Sequence, residues 1–344
     1  MCYADSGRKA NQEIVGDMTA PNSIKLAAAL ILGLSIGVAQ TQTGRPPLSP
    51  IPAPPPRPPV NNPRLPSVFV IGDSTASNGE RNGWGDPFAD YFDATRINAA
   101  NRAVAGFSSR SFITVGLWDR VLKEMKSGDF VLLQMGQNDG GTLDTGRARG
   151  SLPGLGEDTK EVTMPDGKPE LVHTYGWYMR KYIEDTKAKG ATIIVMSLTA
   201  KNIFRDGKNV RVYDNFSKWA AEVAQSAGVA FLDHIDIVAN EYDKLGPEKV
   251  RGLFTDSTHT TAVGADMNAS FVVAGLKTLN SPLVKYLSAK GQAVPAYDPS
   301  LTPPPSPAPA AGPQDAAPGQ GPMPGQGGMP PRSGNPGQPP PPRI

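Results

Sequence analysis

The sequence predicts an α/β domain built on a parallel sheet with helices on both faces. Five runs of strand length recur along the chain, the first of them apolar and β-branched, and segments with helical spacing separate them. Such alternation requires crossover connections, which lay parallel strands side by side and pack helices over them. Right-handed crossovers then bring all the strand ends to one edge. The first run, Ser67-Val68-Phe69-Val70-Ile71, stops abruptly in Gly72-Asp73-Ser74. A buried strand that delivers a polar side chain to its carboxyl end reads this way, and ligands bind at that end in open α/β sheets.

The elements follow in order. Gly83 to Phe92 opens a short amphipathic helix, with Asp86 as its cap before Pro87. Arg96 to Ala103 reads as the second strand and runs into Val104-Ala105-Gly106. Leu117, Val121, Leu122 and Met125 mark a helix that ends near Gly128, and Phe130 to Gly136 is a third strand, apolar but for Gln134. A long loop rich in glycine, proline and charge is expected from Gly140 to Glu170, and loops of this length inside a compact domain are usually functional. A helix over Tyr175 to Lys189 leads to the fourth strand, Ala191 to Leu198. A helix over Phe216 to Ala227 leads to the fifth, Val229 to Asp233, before two more helices, Ile235 to Leu245 and Ala262 to Leu279.

Proline marks the limits of this domain. Of 36 prolines, 11 lie between Pro46 and Pro66, 18 lie from Pro295 onward, and only six fall within 67–294. The flanking stretches, 40–66 and 295–344, cannot bury enough apolar surface to offset the entropy of ordering, so they read as a linker and a tail. Ahead of them, Leu26 to Ala39 is an apolar run preceded by Lys25 and ending in Gly37-Val38-Ala39. A signal peptide spanning 1–39 and cut after Ala39 is expected, with Met18 a possible start and an uncleaved anchor the alternative. That reading makes the protein secreted or periplasmic. Cys2, the one cysteine, would be lost with it, leaving neither a disulfide framework nor a cysteine metal site. A net charge of +2, with no basic stripe interleaved with aromatics, gives no footing for nucleic acid.

Four polar blocks leave the strand-end edge: Gly72-Asp73-Ser74, Gly106, Gly136-Gln137-Asn138-Asp139 and Asp256-Ser257-Thr258-His259. A serine hydroxyl is a weak nucleophile at neutral pH and needs a base to take its proton. His259 is the candidate base for Ser74, and Asp256, three residues earlier, can fold back to accept its Nδ1 proton. An oxyanion needs N–H donors, which the Ser74 and Gly106 backbones and the Asn138 amide would supply. Glycine at 106 lets the backbone approach closely.

These four blocks resemble those of the SGNH (GDSL-type) hydrolase superfamily over about 67–280. Within it, Ile71-Gly72-Asp73-Ser74-Thr75, Asn101 to Phe112, Gly136 to Gly141 and Phe254 to Thr261 are similar to rhamnogalacturonan acetylesterases. The resemblance implies a flavodoxin-like three-layer α/β/α sandwich with about five parallel strands. It implies a Ser74, His259, Asp256 triad that removes O-acetyl groups from pectin backbones, without metal or other cofactor. Gln137 departs from the histidine found in many members, which bears on substrate preference. Two rivals remain at this point: a lipid or thioester substrate for the same machinery, and a non-catalytic glycan-binding module.

The other histidines have plainer readings. His173, before Tyr175, Trp177 and Tyr178, reads as a helix start with buried aromatics, a sugar-binding wall being the alternative. His234 reads as a structural histidine beside a strand end. Asp73 and Asp139 are expected to hold turns by bonding to backbone. No metal-ligand spacing and no phosphate-binding glycine motif occurs. The expected partner is an acetylated polysaccharide, met by a monomer.

Overall fold

The computed structural model describes residues 61–79, 81–211 and 215–301. The expected signal segment and most of the linker and of the tail lie outside these residues. In chain order the elements are β1 (Ser67–Gly72), β2 (Asn98–Asn101), α1 (Ser109–Thr114), α2 (Leu117–Glu124) and β3 (Phe130–Gln134). Next come β4 (Thr159–Thr163), β5 (Pro169–His173), α3 (Tyr175–Ala188), β6 (Thr192–Met196), β7 (Phe204–Arg205) and β8 (Lys208–Asn209). The last are α4 (Asn215–Ser226), β9 (Ala230–Leu232), α5 (His234–Leu245), α6 (Pro247–Arg251), α7 (Ala262–Thr278) and α8 (Ala289–Ala293).

Five strands form one sheet in the order β2-β1-β3-β6-β9, and every pairing in it is parallel. Its residues explain why it is covered twice. Side chains alternate across a strand, so Phe69 and Ile71 face one layer with Val131, Leu133, Ile193 and Val195. Val68 and Val70 face the other with Leu132, Ile194 and Met196. The first layer is closed by α1 to α4 through Phe112, Trp118, Met179, Tyr182 and Val223. The second is closed by Phe88 with α5 and α7, through Ile237, Val272 and Leu276. Each such side chain contributes about 1.5–3 kcal/mol on burial, and a one-residue slip would exchange the two faces, so the register is strongly specified.

The strand order doubles back at β1, which has β2 on one side and β3 on the other. Chains leaving β1 and β3 therefore diverge and open a crevice at their carboxyl ends. Ser74 follows β1 and Asn138 follows β3, so both stand at that crevice.

Several expectations change in detail. The helix after Asp86 is a five-residue 3₁₀ turn, Pro87–Tyr91, and the Asp86 side chain does not cap it. That carboxylate instead accepts from Asn101 Nδ2 at 2.6 Å, which ties the turn to β2. The loop expected over 140–170 contains the antiparallel β4–β5 hairpin, in which Val162 and Val172 are the buried side chains. His173 accordingly ends a strand. α1 was not anticipated: it has six residues, and its capping box pairs Ser108 with Ser111.

Packing also runs past both expected domain limits. Asn62 N–H donates to Asn98 Oδ1 at 3.1 Å, and Tyr297 Oη accepts from Asn240 Nδ2 at 2.6 Å. Among the described residues, no helix is long and apolar enough to cross a membrane.

Candidate active site

The turn after β1 is held by Asp73. Its Oδ1 accepts from the backbone N–H and the hydroxyl of Thr75, both at 2.9 Å. Ala76 and Ser77 N–H close on the Asp73 carbonyl at 3.2 and 3.0 Å. The turn leaves Ser74 half-buried while its neighbours on both sides are buried. Asp73 is fully enclosed, and burial pushes its carboxyl pKa up against the Thr75 bonds that lower it. Beneath the turn runs Gly83-Trp84-Gly85, with Trp84 N–H on the Thr75 carbonyl at 3.1 Å and Gly85 N–H on the Ala76 carbonyl at 2.9 Å. A Cβ at Gly83 would overlap the Ser77 nitrogen and the Ala76 carbonyl, so only glycine allows this approach.

His259 reaches Ser74 from a loop 185 residues away in sequence, with Nε2 2.9 Å from the serine Oγ. Its Nδ1 lies 2.7 Å from Asp256 Oδ2. The other carboxylate oxygen of Asp256 accepts from the Thr258 and His259 N–H groups, each at 2.7 Å. One carboxylate thus shapes the turn and orients the ring. Asp256 is more than half exposed, and the His259 bonds still hold its carboxyl down at about 2, so it is ionised over the whole working range. The loop is anchored where it leaves His259: Thr260 Oγ1 donates to the Asn82 carbonyl at 2.6 Å, and Thr261 caps α7. Leu253 and Phe254 pack with Val238 and Tyr242 of α5 to fix its approach.

The third group comes from the turns after β2 and β3. Val104 N–H bonds the Gly72 carbonyl at 3.0 Å, which brings Gly106 to the serine turn, and Gly106 takes a left-handed φ of 84°. Asn138 Nδ2 donates to the Phe107 carbonyl at 2.8 Å, which uses one of its two N–H bonds and aims the other. Asp139 is buried behind them. Ser109 N–H donates to it at 3.2 Å, the Ser109 hydroxyl donates as well, and Ser151 Oγ donates at 3.1 Å. Burial dominates and raises its pKa to about 6.

The structure therefore brings Ser74, His259 and Asp256 into one hydrogen-bonded chain. It packs Gly106 and Asn138 together at the same crevice. His234 stands apart, wholly buried at the start of α5, with neither ring nitrogen partnered among the described residues and its pKa lowered to about 3. His173 stacks on Trp177 at 3.8 Å and is absent from the Ser74 chain. Three contributors escaped the sequence reading. Gln134 signalled itself as the polar residue in an apolar strand; Trp84 lay between two glycines; Arg149, whose Nη1 donates to the Gly106 carbonyl at 2.7 Å, carried no local signal. Among the described residues, no three His, Cys, Asp or Glu side chains stand together to hold a metal.

The family model described as GDSL-like Lipase/Acylhydrolase matches residues 70–267, the span that carries all four blocks. The chain is 32% identical over 224 residues to a rhamnogalacturonan acetylesterase of Emericella nidulans, covering 64% of this chain and 89% of that one. It is 25% identical to the probable rhamnogalacturonan acetylesterase YesY of Bacillus subtilis, covering 63% and 95%. The crystal structure of the YxiM protein from Bacillus subtilis superposes with a TM-score of 0.51 at 25% identity, covering 63% of this chain and 57% of that one. With a parallel five-stranded sheet and a serine turn at its switch point, the chain belongs to the GDSL-like lipase/acylhydrolase family and is a carboxylic ester hydrolase.

Proposed function

We propose that the protein is a carbohydrate O-acetylesterase acting on acetylated rhamnogalacturonan. The observation that carries this reading is the chain Asp256–His259–Ser74, with ring contacts of 2.7 and 2.9 Å, in a protein similar to named rhamnogalacturonan acetylesterases. Ser74 Oγ attacks the acetyl carbonyl carbon while His259 Nε2 takes the hydroxyl proton. Negative charge gathers on the carbonyl oxygen, facing the N–H groups of Ser74 and Gly106 and the free amide N–H of Asn138. His259 then returns its proton to the departing sugar oxygen as the C–O bond breaks, which leaves Ser74 acetylated. Water, deprotonated by the same imidazole, attacks the acetyl group and releases acetate, and the proton goes back to Ser74. Asp256 stays ionised throughout and stabilises the imidazolium.

Export fits this substrate, and the apolar run Leu26 to Ala39 supports it. The test is acetate release from acetylated rhamnogalacturonan, acetylated xylan and a long-chain ester, with Ser74→Ala as control. Release from the pectic polymer that disappears in the variant is the expected result. Release confined to another ester would discard the pectin reading while keeping the serine chemistry. Full activity in Ser74→Ala would sink the mechanism.

A further inference from the structure

The turn from Asp139 to Ser151 is folded to carry one side chain to the oxyanion donors, and the acyl-transfer steps do not use that side chain. Gly150 N–H bonds the Thr142 carbonyl at 2.8 Å, and a Cβ at Gly150 would overlap the Gly141 carbonyl. The buried Ala148 is held at a left-handed φ of 44°, a conformation that costs energy for a residue with a Cβ. Ser108 Oγ clamps the Arg149 carbonyl at 2.6 Å. The stem of Arg149 then lies on Gly141, where a Cβ would meet Arg149 Cγ at 3.3 Å. Gly141 N–H in turn bonds the Asn138 carbonyl at 3.1 Å. The guanidinium ends on the Gly106 carbonyl, 2.7 Å from Nη1. Arg149 thus touches both segments that supply oxyanion donors.

Its charge is left without a counter-ion. Among the described residues, that bond to Gly106 is the one its five N–H donors make, and no carboxylate accepts a hydrogen bond from it. Asp73 and Asp139 act on it only from farther off, and both are enclosed. Partial burial and the neighbouring Arg147 both work against the charge. A half-desolvated guanidinium has lost part of its hydration and gains from a partner, and its planar fork suits a carboxylate. The reach is also right: one residue spans at most about 3.6 Å, so Nη1 stands within about one sugar ring of the Gly106 N–H.

We propose that Arg149 reads the carboxylate of the uronic acid that carries, or adjoins, the scissile acetyl group. This rests on the acetylesterase reading above and names what selects its substrate: an acidic sugar over a neutral one. Arg149 is a specificity residue, since its general effect on Gly106 is felt by every ester alike.

The test compares acetylated rhamnogalacturonan oligosaccharides with the same oligosaccharides after reduction of their carboxylates to alcohols. Wild type, Arg149→Gln and Arg149→Lys are assayed for kcat/KM on both. Wild type is expected to prefer the acidic form by about tenfold or more, chiefly through KM. Arg149→Gln should bring that ratio close to one, and Arg149→Lys should keep part of it as a point charge. A wild type that does not distinguish the two forms overturns the proposal. So does an Arg149→Gln that slows both equally, since that is what a purely structural role predicts. If Arg149→Gln does not fold, the ratio in Arg149→Lys decides, and an undiminished preference there overturns it. If wild type releases acetate from neither oligosaccharide, the rhamnogalacturonan reading fails by itself. Arg149 is then tested by inhibition of p-nitrophenyl acetate hydrolysis with galacturonate against galactose. Selective inhibition by the acid, lost in Arg149→Gln, supports the site; equal inhibition overturns it.

Discussion

Gln134 Oε1 lies 3.1 Å from the Thr75 hydroxyl, one residue beyond Ser74, and shares that group's single proton with Asp73 Oδ1 at 2.9 Å. The same oxygen accepts from Trp84 Nε1 at 2.7 Å and Thr199 Oγ1 at 3.3 Å, while its amide donates to the Ser197 carbonyl at 2.8 Å. One buried side chain on β3 therefore ties together the ends of β1 and β6 and the Gly83-Trp84-Gly85 support. Gln134→Leu keeps the volume and strands these groups. Each costs about 1–3 kcal/mol when buried without a partner, and because they share one oxygen the costs will not simply add. A loss of roughly 2–4 kcal/mol in urea unfolding is expected, together with a lower kcat. An unchanged midpoint would show that water replaces the amide freely.

The proposed acyl transfer makes graded demands on its groups. Asp256→Asn keeps the shape of the loop but removes the carboxylate that faces Nδ1, and a fall in kcat of about 10³–10⁴ is expected. Asn138→Ala removes one oxyanion donor and should cost about 10²–10³ in kcat with little change in KM. Initial rates on p-nitrophenyl acetate measure both. Losses confined to KM would mean that these side chains bind substrate and do not act on the transition state.

Gly83→Ala tests the support under Ser74, the proposed nucleophile, from the steric side. The added methyl has backbone on its far side and no flexible group that can yield, so the Ser74 turn must shift. Overpacking of this kind costs about 1–3 kcal/mol, and a displaced nucleophile can lose up to about 10²-fold in rate. Thermal unfolding and kcat should fall together. A variant with wild-type kcat would mean that the position of Ser74 does not depend on this support.

His234 gives a pH signature. Its folded pKa is about 3, against an ordinary value of 6.5, because burial disfavours the imidazolium. Between those values the unfolded chain binds the extra proton, so this contribution to stability is complete above 6.5 and is lost as pH falls toward 3. Asp139, raised to about 6 by burial, has the opposite slope between about 4 and 6, so the whole protein partly masks the effect. Comparison with His234→Leu isolates it. Between pH 7 and pH 5, wild type should lose about 2 kcal/mol relative to the variant in urea unfolding. A constant difference would mean that the ring finds a partner when charged.

Much of the site was legible because its chemistry is local. Asp256 and His259 lie three residues apart, close enough for one turn to join them, so the sequence alone offers them as a candidate pair. The central strands were legible for a related reason: β1, β3 and β6 are buried on both faces, which demands nearly continuous apolar runs. Weakly buried elements hid. β4 and β5 bury one side chain each, too few for a period to register, although Pro165-Asp166-Gly167 between them is a turn signal that marks a hairpin. α1 is too short for a helical period, and only its Ser108 and Ser111 cap betrays it.

By itself, then, the sequence determined the α/β class, the succession of strands and helices, and the four polar blocks with their candidate chemistry. Period and nearest neighbours encode these, and they do not depend on how distant segments meet. Tertiary structure decided which strands are adjacent and so how Ser74 meets a histidine 185 residues away. It also decided that Gln134 would brace the serine turn, and that Arg149 would arrive beside Gly106 without a counter-ion. The physical reason is that partners far apart in sequence are chosen by shared burial and sheet register, and no local stretch of residues contains that information.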